Sequence, residues 1–450
     1  PAFDRVAKDG VLFTNAFCAA PQCSPNRACA LTGRNIWQNR EAGTHSSYFP
    51  SDLTVFTDIL EAAGYHVGFT GKGWSPGNWE GAGWKRNPAG DEFSRRTLAT
   101  PPTYGSVPID YPANFEDFLD KKPAGDPFCF WYGSYEPHRP YEPGSGARRG
   151  GMDPSAVEPP PFLPDAPETC NDLLDYFLEV QLFDRNLYRM LKTLHKTGEL
   201  DNTIVIVTSD NGMPFPRAKA NLYDYGLHVP LAVRWPDGAV KRHKTDSLVS
   251  YVDFAPTLLE AAGLQIPDSV TGHSFLDILR GSPSASGREY VLAGRERHTH
   301  ARPDNTGYPS RSIRTADYLY IRNFKPDRWP AGIPGDFRDC DDSPSKTFML
   351  EHREEYPELF ELAFGKRPAE ELYFVKEDPG CMKNLAEEPG AKDVNTKLAA
   401  RLDSLLDEQG DPRAAGSEVF DSYPRFGAMR SDYEGFSEAG KYNPKFMDKK

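Results

Sequence analysis

Five consecutive residues, Thr203-Ile204-Val205-Ile206-Val207, are all β-branched. Such side chains lose rotamer freedom in a helix and pack well on a pleated surface, so an uninterrupted run reads as a strand buried on both faces. The run follows a long amphipathic helix over Asn171 to His195. It precedes a second apolar strand at Leu231 to Val233 and a helix from Asp253 to Ala262. Earlier in the chain the same alternation occurs. Ser51 to Ala63 places Phe56, Ile59, Leu60 and Ala63 on one helical face, with Gly64 as the stop; Tyr65, Val67 and Phe69 then alternate as a strand, and Phe128 to Tyr132 is another. Strands separated by helices predict an α/β fold, a mostly parallel sheet with helices on both faces. Ligands of such sheets bind beyond the carboxyl ends of the strands, so the polar residues just after each strand are the ones to examine.

Beyond Gly281 the pattern changes. Ile313 to Phe324 alternates around Tyr318 and Tyr320, Leu372 to Val375 is a short strand, and Ala391 to Gln409 reads as a helix over them. This predicts a catalytic-size α/β unit over 1–285, a smaller α+β subdomain with an antiparallel sheet over 286–410, and a polar extension wrapping the surface over 411–450. The formal net charge of −13 excludes a nucleic-acid footprint, which needs a basic face. An acidic protein that takes an anionic ligand must gather Lys, Arg and His at one site against its own field. The seven cysteines, at 18, 23, 29, 129, 170, 340 and 381, are irregularly spaced and odd in number, which suits neither a disulfide scaffold nor a zinc site. No run reaches the roughly 18 apolar residues of a membrane span.

The most specific segment is Cys23-Ser24-Pro25-Asn26-Arg27-Ala28-Cys29-Ala30-Leu31-Thr32-Gly33-Arg34. Pro25 suits the first turn of a helix and Thr32-Gly33 its end, which puts Cys23 at a helix N-terminus, where the dipole favours negative charge. A lone Cys there is most often a small apolar residue. The whole string resembles the signature of type I sulfatases, Cys-x-Pro-x-Arg followed by Leu-Thr-Gly-Arg, although family members usually have Ser where this chain has Asn26. The resemblance implies an alkaline phosphatase-like fold with a mixed, mostly parallel sheet, and oxidation of Cys23 to formylglycine by a maturase. A thiolate attacking sulfate would give a stable dead-end ester. A hydrated aldehyde has one hydroxyl to attack sulfur and a second to expel sulfate.

The resemblance spans nearly the whole chain. Asp4 to Val11 looks like the helix before the signature. Thr208-Ser209-Asp210-Asn211-Gly212 looks like the family's second metal motif, which implies Asp210, Asn211 and the modified Cys23 as ligands of Ca²⁺ or Mg²⁺; alone, the string reads as an Asx turn at a strand end. The family's paired N-terminal Asp ligands, on a first strand, are expected upstream of Pro1, together with a signal peptide for a periplasmic, secreted or lysosomal protein. Lys72, in Thr70-Gly71-Lys72-Gly73-Trp74, resembles the family's Gly-Lys loop, and Lys219 falls where sulfatases place a sulfate-binding cation. Where many members have a His two positions after this Lys, the chain has Trp74, taken with Arg139 and His45 as substrate-facing. His138, in a Pro-His motif, suits protonation of a leaving group, and Arg27 is expected to orient the formylglycine.

Within the family, Asp210 to Pro216, Asn221-Leu222-Tyr223, Gln38-Asn39 and Gly43-x-His45 most resemble the heparan N-sulfatase (sulfamidase) branch, although Lys219 stands where that branch has Arg. The implied activity is metal-dependent hydrolysis of a carbohydrate sulfate ester or sulfamate. Alternatives are a phosphoryl hydrolase on the same scaffold, which would use Thr or Ser in place of Cys23, and an inactive binder of sulfated glycans.

Overall fold

The structure is a computed structural model that describes residues 1–426 apart from 237–239, 241, 283–286 and 336. Its strands are β1 (Val11–Phe17), β2 (His66–Gly71), β3 (Asp91–Glu92), β4 (Phe128–Gly133), β5 (Val205–Thr208), β6 (His228–Arg234), β7 (His243–Ser250), β8 (Val291–Arg295), β9 (Ser310–Arg314), β10 (Tyr318–Asn323) and β11 (Glu370–Phe374). They form one sheet ordered β5-β6-β1-β7, a second ordered β3-β2-β4, and a C-terminal sheet ordered β11-β10-β9-β8. Pairing is parallel for β1 with β7 and for β2 with both neighbours, and antiparallel for β6 with β1 and β5 and throughout the C-terminal sheet.

Helices are set by the apolar periods read from the sequence. The helix Pro167–Thr197 buries Leu173, Leu174, Leu178, Leu187, Met190, Leu191 and Leu194, and Gly198 closes it in the left-handed conformation at φ 78°. The helix Cys23–Thr32 is buried at every position and is closed by Gly33 at φ 67°, where a Cβ would sit 2.8 Å from Val270 Cγ1.

Three expectations change. The run at Thr203 to Val207 is not buried throughout: β5 ends its sheet among the described strands, and only Val207 among Val205–Thr208 is fully buried. It faces β4, another edge, across a cavity of about 1600 Å³ lined by both strands. The alternation from Ile313 to Phe324 is two strands, β9 and β10, turned at 315–317 by Thr315, whose Oγ1 accepts from Tyr318 N at 3.1 Å. The expected extension is, over 411–426, part of the C-terminal unit, since Asp411 and Arg413 pair with Arg311 and Glu296; the rest of it, 427–450, lies outside the described residues. One buried cluster runs from Phe13, Leu231 and Val249 of the central sheet to Leu319, Leu372 and Leu402 of the C-terminal unit, so the two share a core.

Candidate active site

Cys23 lies at the first turn of its helix, 4% exposed, and lines the cavity between β4 and β5. At the end of β5, Asp210 and Asn211 meet it. Asn211 Nδ2 stands 3.8 Å from Cys23 Sγ and donates to Asp210 Oδ1 at 2.9 Å. The other carboxylate oxygen accepts from Arg27 Nη2 at 2.5 Å, one helical turn from Cys23. Burial pushes the Asp210 carboxyl up, but the charges of Arg27, Lys72 and Lys219 outweigh it and hold it below the ordinary range. Asn26 locks the helix to this loop: its Nδ2 donates to Asp210 O at 2.6 Å and its Oδ1 accepts from Ala19 N at 2.8 Å. That bridge was not legible in the sequence, where Asn26 stood only as a departure from Ser.

Lys72 follows β2, and its backbone N–H reaches Gly133 O at 2.6 Å. The approach needs Gly71, at φ 75°, where a Cβ would be 2.2 Å from Gly133 O. The Lys72 ammonium sits 4.9 Å from the centroid of the Tyr135 ring, and burial, first, lowers its pKa. Lys219 is carried by the turn Met213 to Asn221, anchored where Ala220 N donates to Pro21 O at 2.8 Å. Its Nζ donates to Asp341 Oδ2 at 2.7 Å and lies 3.5 Å from His138 Nε2. Burial disfavours the Lys219 charge, yet Asp341 and the other anionic groups raise its pKa on balance. His138 Nδ1 pairs with Arg139 O at 2.7 Å, which leaves Nε2 turned to the site. The Lys219 charge, then burial, then Lys72, push His138 down to about 3, so the resting imidazole is neutral.

None of the three residues expected to face substrate, Trp74, Arg139 and His45, lines the cavity. Trp74 is fully buried: its indole donates to Ser24 O at 3.0 Å and stacks edge-on with Phe49, so it supports the signature helix from behind. Arg139 grips both oxygens of Asp172, at 2.7 and 2.8 Å, and donates to Pro214 O at 2.9 Å, so each of its three nitrogens is engaged by the fold. His45 is buried with Nδ1 on His298 O at 3.0 Å and its ring against His298; burial, then His298, drive its pKa well down. Asp341 and His298, from the C-terminal unit, have no local motif and went unread.

Asp210, held ionised, and Asn211 supply hard oxygen donors that fit part of a Ca²⁺ or Mg²⁺ site. Among the described residues no group of three or more His, Cys, Asp or Glu is placed to hold a metal ion. The seven cysteines are all free.

The chain has relatives. A family model described as sulfatase matches residues 1–264, and one described as N-sulphoglucosamine sulphohydrolase, C-terminal, matches 217–331. An ulvan-active sulfatase of Formosa agariphila is 30% identical over 419 residues, 91% of this chain and 76% of that protein. Human N-sulphoglucosamine sulphohydrolase is 27% identical over 456 residues, 92% of this chain and 86% of that protein. A solved structure in complex with its substrate D-glucosamine-2-N,6-O-disulfate superposes with TM-score 0.65 at 19% identity, covering 91% of this chain and 93% of the other, a likeness of fold.

Proposed function

The chain belongs to the sulfatase family, and from that premise we propose how its site works and on what. It is a sulfuric ester hydrolase. The observation that carries our reading is the convergence of Arg27, Lys72, Lys219 and His138 on the cavity that holds Cys23, in a protein of net charge −13. Cations that are fixed before substrate arrives stabilise an oxyanion without reorganising, and their fields are strong where water is scarce.

In our reading Lys72 and Lys219 hold the sulfate oxygens, and Arg27 keeps Asp210 ionised and oriented. Formylglycine derived from Cys23 would supply a nucleophilic hydroxyl at the helix N-terminus, and Asp210 and Asn211 would hold in part a divalent cation, which would supply positive charge to the site. His138 gives a proton from Nε2 to the leaving oxygen or nitrogen. At rest it lacks that proton, because two ammonium groups face it; a bound sulfate offsets both charges and raises its pKa. The substrate class is a sulfated carbohydrate, with N-sulfated glucosamine favoured over other sugars by the C-terminal match and by the named activity of the human relative. Such a protein needs a formylglycine-generating maturase as partner, and a periplasmic, secreted or lysosomal location suits its substrate. No described helix is long and apolar enough to cross a membrane.

The test compares leaving groups. An aryl sulfate leaves as a stable phenolate and needs little protonation, whereas a sugar amine or hydroxyl needs it. General acid catalysis contributes about 10²–10⁴-fold, so His138→Ala should lose that factor in kcat/KM on an N-sulfated glucosamine and much less on an aryl sulfate. Equal losses on both would reduce His138 to a binding role.

A further inference from the structure

Both family matches end before Asp339, yet the segment that follows reaches the catalytic cavity's cations. Asp339 is buried and fixed. Its Oδ2 accepts from Arg302 Nη2 at 2.5 Å and Arg295 Nη2 at 3.1 Å, and its Oδ1 accepts from Thr299 N at 2.8 Å. On the other side, Lys346 Nζ donates to Cys340 O at 2.9 Å and to Asp342 Oδ1 at 2.8 Å. Residues flanking Asp341 are therefore clamped to the C-terminal unit. Asp341 itself turns the other way, and its Oδ2 accepts from Lys219 Nζ at 2.7 Å.

We propose that Asp341 is a positioning residue for sulfate hydrolysis, delivered by the C-terminal unit to fix the Lys219 ammonium beside His138. The inference rests on the reading of Lys219 as a sulfate-binding cation. Holding a lysine side chain in one place costs it rotamer entropy, and like charges on Lys72 and Arg27 push its tip away from the site. A clamped carboxylate opposes both effects before substrate binds. The ammonium has three donors. One is taken by Asp341 and one faces His138 Nε2, which leaves the third for a sulfate oxygen. Side-chain exposures of 7% for Lys219 and 21% for Asp341 place the pair among those whose loss is felt, unlike an ion pair in open water.

A double-mutant cycle tests this on the full chain, matured in a host with the maturase, with para-nitrophenyl sulfate as the probe. Asp341→Asn should lower kcat/KM by about 10- to 100-fold at an unchanged melting temperature. In a Lys219→Ala background the same change should cost less than about 3-fold, because the group through which it acts is gone. Asp341→Glu, which restores the charge, should recover part of the loss. Should Asp341→Asn fail to fold, Asp341→Ser takes its place in the cycle with the same outcomes. A loss of the same size in both backgrounds would overturn the inference while leaving the reading of Lys219 intact. Wild-type activity in Lys219→Ala would overturn that reading, and the inference with it.

Discussion

Arg311, in the C-terminal sheet, and Lys72, in the cavity, are cations in very different company. The Arg311 side chain is 0% exposed; it donates to Asp411 Oδ2 at 2.7 Å and to Glu296 Oε1 at 2.8 Å, and Arg413 closes the cluster on Glu296. Every charge there has a fixed partner, as burial requires. Lys72 is half-buried and, among the described residues, makes no ion pair with a carboxylate. Around it, among the described residues, Arg27 pairs with Asp210 and Lys219 with Asp341. A charge paired inside the fold holds the fold together. A surplus of positive charge facing a cavity costs stability and is of use only when an anion arrives. The two regions therefore predict opposite responses to mutation.

The largest effect belongs to the nucleophile. Cys23→Ala should remove turnover by about 10⁴–10⁶-fold, the scale of a lost catalytic nucleophile, with no change in the melting curve; retained sulfatase activity would break the assignment. Next comes the paired region. Arg311→Ala leaves the buried Asp411 carboxylate without its cation and Glu296 with Arg413 alone, and should cost about 3–5 kcal/mol in urea unfolding, at any stage of site maturation. A variant that unfolds like the wild type would erase the contrast drawn above. Lys219→Ala sharpens the comparison through pH. It removes the largest influence holding His138 down to about 3 and leaves Asp341 unpaired nearby, so the imidazole midpoint should rise toward or above its ordinary value. The neutral form then gives way to the charged form at a higher pH, which NMR titration of the His138 ring reads directly; an unmoved midpoint would mean that burial and Lys72 set it without Lys219. The smallest effect is expected at Trp74→Phe. It loses one hydrogen bond, to Ser24 O, and should cost about 1 kcal/mol of stability without a selective change in KM.

How far the sequence carried depends on how local the signal was. The α/β alternation was legible because apolar periods of 3.6 and 2 mark helices and strands directly. Val11–Phe17 escaped notice although it is central: Thr14 and Asn15 interrupt its apolar pattern where the register shifts against both neighbours. Cys23, Arg27, Asp210 and Asn211 were singled out through compact motifs at a helix start and a strand end, and the structure brings the four to one cavity. Trp74 was misplaced because two residues after Lys72 the chain turns inward, pinned by Trp74 N on Asn87 Oδ1 at 2.9 Å. Arg139 follows the Pro-His motif directly in a loop, but its partner Asp172 lies on the helix Pro167–Thr197. Asp341 could not be read at all, since its meaning comes from Lys219, a partner more than a hundred positions away in the chain.

The central claim is that Cys23 becomes the nucleophile. Mass spectrometry of the proteolytic peptide that contains Cys23, from full chain made in a maturase-competent host, tests it most directly. The account predicts a peptide lighter than the encoded one by the difference between a thiol and an aldehyde side chain, and reactive toward a hydrazide probe. A peptide that carries only an unmodified thiol, from protein that still hydrolyses sulfate, would contradict it.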